Sequence, residues 1–148
     1  LITKIESIAL ALVDQVRSAL SAKVTREAEL PVECPDEGIV NIVPSEPREM
    51  DRRLGTGIRE MQQDFEIEIV VKGSDQGERG VRMEGVLVPL GAALGPLALI
   101  ESGVDYINLN PPSETEVIPM RGSESLRGTV VVATLFYETS SNVMETAT

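Results

Sequence analysis

The chain has 148 residues, 42% apolar but only 3% aromatic, and its 24 acidic and 13 basic residues leave a net charge of −11 with no histidine. That composition predicts one folded domain with an aliphatic core. It counts against nucleic-acid binding through a broad basic surface, and the missing histidine removes Ser-His, Cys-His and most zinc constellations.

Ile2, Ile5, Ile8, Leu12, Val16 and Leu20 recur at spacings of three and four. This stripe predicts an amphipathic helix of about five to six turns, packed on its own domain rather than on a partner. The charged start carries no signal-peptide pattern. Residues 23–37 have mixed charge and two prolines and read as a connection with room for a short strand. Cys34, between Glu33 and Pro35, is the single cysteine, so no intramolecular disulfide is possible. As a nucleophile it would need a base, and a structural thiol is the better reading.

Residues 38–44 read as a short strand closed by Pro44. Residues 45–63 hold Arg48, Arg52, Arg53 and Arg59 around the break Gly55-Thr56-Gly57, and predict a long loop or hairpin arm between two strands. The arm is either a solvated loop that balances local acids or a reach toward an acidic surface on a neighbouring subunit. Gly55-x-Gly57 is no phosphate loop.

The clearest element is Asp64 to Lys72. Phe65, Ile67, Ile69 and Val71 alternate with Glu66, Glu68 and Lys72, as in a strand with one buried and one wet face. Gly73 ends it, and a polar turn runs to Gly80. Met83, Val86, Leu87, Leu90 and Leu94 then have helical spacing, with Pro89 marking a kink or a first turn and Gly95-Pro96 the end. The apolar run 86–100, about 15 residues broken by Gly and Pro, is short of the ~20 a membrane span takes.

Residues 104–109 read as a strand with Val104, Tyr106 and Asn108 on one face. Residues 114–120 read as another short strand, and 121–125 as a turn. The last strand, 128–138, is apolar on both faces, so one face must meet helices and the other must be covered as well. Residues 140–148 read as a frayed polar tail. There is no internal repeat.

No catalytic, cofactor-binding or metal-ligating set emerges. Glu66 with Glu68, or Asp105, Glu114 and Glu116, are paired carboxylates, but catalytic carboxylates need a pocket. No calcium-loop spacing occurs. The expectation is a protein that is not an enzyme and carries no cofactor.

Two segments carry a resemblance. Residues 59–73, where an arginine-bearing arm feeds QDFEIEIVVKG, and residues 128–139, GTVVVATLFYET, resemble the tail-terminator proteins of long-tailed bacteriophages, the minor tail protein U type. The amphipathic first helix and the region 90–99 fit too, so the resemblance covers most of residues 2–139. The Gly- and Pro-bearing second helix departs from the smoother helix of that pattern.

The resemblance implies an α+β domain over residues 1–139: a mixed or antiparallel sheet, two main helices on one face, and a long arm between early strands. It implies a structural virion protein, made in the host cytoplasm, that forms a homo-hexameric ring at the head-proximal end of the tail. Such a ring caps the tail tube, stops its polymerisation and offers a head-joining surface. Its partners are further copies, the tail tube protein and head–tail connector proteins, with DNA passing through unbound and no membrane involved. On this reading Arg48, Arg52, Arg53 and Arg59 are subunit-interface residues, and Glu66 and Glu68 lie on the ring surface or lumen. The alternatives are a head–tail connector or stopper protein, and a small ligand-binding α/β module with a polar-lined pocket.

Overall fold

The computed structural model describes residues 1–28, 34–113, the backbone of 116–118, and 125–147. Its elements are α1 (Lys4–Ala19), β1 (Lys23–Arg26), β2 (Ile39–Pro44), β3 (Arg48–Arg52), β4 (Arg59–Gly73), α2 (Gln76–Ala93), a 3-10 turn (Ile100–Ser102), β5 (Val104–Leu109), β6 (Glu116–Ile118) and β7 (Ser125–Thr139). The fold is α+β, as expected. The turn expected at 121–125 lies mostly outside the described residues.

The sheet is organised around β4 and β7, each of 15 residues and paired antiparallel from Arg59↔Thr139 to Gly73↔Ser125. Two short strands lie in tandem along each outer side of this pair. On β4 these are β2 and then β3, separated where Pro44 and Pro47 interrupt the edge. On β7 they are β5 and β6. The order β1-β2-β4-β7-β5 is completed by β1, which pairs parallel with β2 and makes the sheet mixed.

Alternation decides what the pair buries. Met61, Phe65, Ile67, Ile69 and Val71 on β4, with Val131, Ala133, Leu135 and Tyr137 on β7, point to one side and are buried. There they join Ile8, Leu12 and Val16 of α1 and Met83, Val86 and Leu90 of α2 in one core cluster. Both helices therefore cover the same face.

Thr3 caps α1 by accepting from the Glu6 amide at 3.1 Å, and Arg26 of β1 forks onto Glu6 at 2.5 and 2.9 Å. That guanidinium, through its hydrogen bonds first, holds the Glu6 carboxyl below its usual range.

The helix α2 begins at Gln76, inside the stretch to Gly80 expected to be a polar turn. Asp75 accepts from the Glu78 amide at 2.8 Å, and the Glu78 carboxylate accepts from the Ser74 hydroxyl at 2.6 Å. This reciprocal cap starts the helix despite Gly77 and Gly80. Pro89 sits inside α2, neither at its first turn nor at its end.

The strand β5 also departs from the expected pattern. An irregularity between Val104 and Tyr106 shifts the register, so Val104 and Ile107 are buried while Tyr106 and Asn108 are exposed. A bulge of this kind resets which residues share a face. The outer edge of β5 is closed by its own chain, through Ile107 N–H to Pro96 O at 2.9 Å and Val104 N–H to Leu99 O at 3.1 Å.

The C-terminal residues, expected to fray, are tied to the N-terminus. Lys4 N–H donates to Glu145 O at 2.8 Å, Ala147 N–H donates to Ile2 O at 3.0 Å, and Thr3 bridges Thr146. Backbone pairing of this kind does not depend on polar or apolar side chains, so composition alone misses it.

Polar residues at inward positions explain why β4 is longer than the stretch 64–72. Gln63, 3% exposed, accepts from the Tyr137 hydroxyl at 3.0 Å and donates to Ser45 O at 2.9 Å. Burial pushes the Tyr137 phenol up to about 12. An unfolded tyrosine ionises near ~10, so the unfolded chain sheds this proton first. Stability from this group is complete below pH ~10 and is lost progressively as the pH rises toward about 12. In a Tyr106→Phe chain, tyrosinate absorbance is expected to rise only as Tyr137 ionises or the fold opens. A simple titration near ~10 with the fold intact would contradict this burial.

Candidate assembly surface

β3 and the first residues of β4 form a hairpin that closes through Arg53 N–H to Ile58 O at 2.8 Å and Gly57 N–H to Arg53 O at 3.1 Å. Gly55 (φ 89°) and Gly57 (φ 73°) occupy left-handed backbone that side chains disfavour, which fixes the turn where the glycines stand. All five residues of β3 are exposed. The arm expected at 45–63 is therefore ordered, with its second half continuous with the central strand β4.

The four arginines of the arm each find a carboxylate on their own chain. Arg52 donates to Glu49 at 2.8 and 3.1 Å, and Arg59 stands 3.5 Å from the same carboxyl. The hydrogen bonds from Arg52 hold Glu49 below its usual range and raise Arg52 in turn. Arg53 meets Glu60 at 3.5 Å and Glu138 of β7, and Arg48 lies 3.7 Å from Asp64. The positive charge of the arm is balanced locally.

Such exposed pairs add little to folding. Reversing two of them, with Arg52→Glu and Arg53→Glu together, is expected to leave the melting temperature within a few degrees of the parent. A collapse of the fold would show that the arm is part of the core.

Glu66 and Glu68 lie on the sheet face turned away from the helices. Glu66 is exposed, with Val43 and Val132 as its register partners, and Glu68 is half-buried between Asn41 and Val130. The Asn41 amide donates to Glu68 at 2.9 Å. Asp64, on the same face, accepts from the Thr134 hydroxyl at 2.7 Å. Val130, Val132 and Phe136 are only partly covered there, and Phe136 tilts against Tyr106 at a centroid distance of 6.2 Å. The face expected to be wet is thus a mixture of carboxylates and valines. The arginines and the two glutamates do not meet, although Arg48 reaches Asp64, two positions along β4 from Glu66.

Two surface features have no counterpart in the sequence reading. At the tip of the hairpin Leu54 is 99% exposed, and Met50, midway along β3, is 59% exposed. On the helix side, a groove of about 320 Å³ opens between α2 and the β5–β7 edge, lined among the described residues by Leu87, Val88, Gly91, Leu109 and Pro112, with Glu84 as the charged member. An aliphatic residue set between Arg53 and Gly55 was the available signal for the tip. The groove depends on how far α2 spreads over β7, which spacing along one helix does not report.

Cys34 is buried, its Sγ 3.6 Å from Val70 O. Among the described residues no group of three or more Cys, Asp and Glu stands close enough to hold a metal ion. No helix is long and apolar enough to cross a membrane.

No model of a known protein family matches the sequence, and no curated protein matches it. Among solved structures, one that aligns is a chain from the virion of a native gene transfer agent particle. It aligns at a TM-score of 0.41 and 13% identity over 93% of this chain and 92% of that one. A likeness so slight assigns neither fold family nor function.

Proposed function

We propose that this chain is a structural virion protein of the tail-terminator kind: it assembles into a homo-hexameric ring at the head-proximal end of a phage tail, caps the tail tube, stops its growth and offers a surface to head–tail connector proteins. It acts by assembly rather than catalysis and carries no cofactor. DNA traverses the ring without specific contacts, as a net charge of −11 favours.

The observation that carries this reading is the placement of the two segments that bear the resemblance. Residues 59–73 and 128–139 lie on the two central strands and pair along the sheet, with β3 paired along the first residues of β4 and the hairpin turn 53–58 past the end of that pair. The exposed turn of the hairpin and a separate groove supply two unlike surfaces, which is what a head-to-tail ring needs.

Deleting the gene from the producing phage tests the reading. Tails of uncontrolled length that fail to join heads are expected. Tails of normal length joined to heads would overturn it. Tails of normal length that stay unjoined would favour a connector or stopper instead.

A further inference from the structure

We infer that the hairpin tip, Leu54, docks into the groove between α2 and β5 of a second copy of this chain. The inference rests on the ring reading above and names the two surfaces that join.

Four observations point to this pairing. Leu54 is held in water by an ordered turn, closed by two backbone hydrogen bonds and two left-handed glycines, so its exposure is built into the backbone. The groove is concave and lined by Leu87, Val88, Gly91, Leu109 and Pro112, which offer aliphatic contacts and, at Gly91, close backbone approach.

The tip cannot fill the groove of its own chain. The turn that carries Leu54 lies past Arg59, which pairs Thr139, whereas the groove lies beside Val131, eight positions down β7. At strand rise that is ~27 Å, and the tip extends beyond it.

Charge supports the same occupant. The chain carries −11, but residues 45–63 hold four acids (Glu46, Glu49, Asp51 and Glu60) against Arg48, Arg52, Arg53 and Arg59. This neutral segment is where two like copies repel least. Because tip and groove differ, the contact is heterologous and repeats around a ring.

Cross-linking tests the contact directly. Leu54→Cys and Val88→Cys are made separately, each with Cys34→Ala, then mixed and oxidised. A disulfide-linked dimer is expected from the mixture and not from either variant alone. In parallel, Leu54→Glu is expected to weaken self-association at least about tenfold, with its melting temperature unchanged. Leu54→Ser, which adds no charge, is expected to weaken it in the same direction.

If the parent assembles, but Leu54→Glu assembles equally and the mixture forms no linked dimer, the tip contact is wrong and the ring reading stands. If the parent stays a single chain at every concentration, both fall.

Discussion

Phe65→Ala lowers the melting temperature by about 10 °C or more, whereas Phe136→Ala lowers it far less. Phe65 is 0% exposed on the helix-facing side of β4, level with Pro44 on β2 and Ala133 on β7. Truncating a fully buried phenylalanine costs about 3–5 kcal/mol in lost transfer energy and cavity. That is a large part of the 5–15 kcal/mol that holds an ordinary domain, and for this size each kcal/mol moves the midpoint by roughly 2–4 °C. The core has few aromatics to compensate. Phe136 carries the same side chain on the other face, where it is only partly covered and rests on Tyr106. Thermal denaturation followed by circular dichroism measures both variants. Equal losses would mean that the two faces of the sheet are buried alike.

Asn41→Asp is the second large effect, with an expected loss of about 2–4 kcal/mol in urea unfolding at neutral pH. Asn41 is 4% exposed and uses its full hydrogen-bonding capacity. Its oxygen accepts from the Thr25 hydroxyl at 2.9 Å and from the Ala28 amide at 3.1 Å. Its nitrogen donates to Ala28 O at 3.1 Å and to the Glu68 carboxylate at 2.9 Å. One side chain thus ties the end of β1 to β2 and β4.

The substitution keeps the shape, removes both donors and sets a second negative charge against Glu68. Acidification that protonates the new carboxyl restores a donor, so the penalty relative to the parent shrinks at low pH. An Asn41→Asp chain as stable as the parent at pH 7 would show that these bonds are replaced by water at no cost.

The two cases show what the sequence exposes and what it hides. The alternation Phe65, Ile67, Ile69, Val71 marks the buried face without help from the rest of the chain, because period two is a local property of a strand. Asn41 breaks its own strand's apolar run, and its reason is distributed over Thr25, Ala28 and Glu68, none of them adjacent in sequence. Gln63 hides the first part of β4 in the same way, since the hydroxyl that justifies its burial belongs to Tyr137, 74 positions on. The helix α2 looks too short because Gly77 and Gly80 mask a start that Asp75 and Glu78 encode.

The candidate site was partly legible. The arm could be read from its arginines and its Gly55-Thr56-Gly57 turn. Their partners could not, because Glu138 meets Arg53 only through the pairing of β4 with β7. Leu54 was visible as a residue, but its exposure follows from the turn geometry. The groove at Leu87, Val88 and Leu109 joins elements that pairing alone brings together.

The ring is the central claim, and the mass of the particle in solution tests it most directly. Light scattering across protein concentration and salt is expected to show the 16.0 kDa chain assembling, at sufficient concentration, into a discrete species of six chains. A mass of one chain at every concentration and salt would contradict the account.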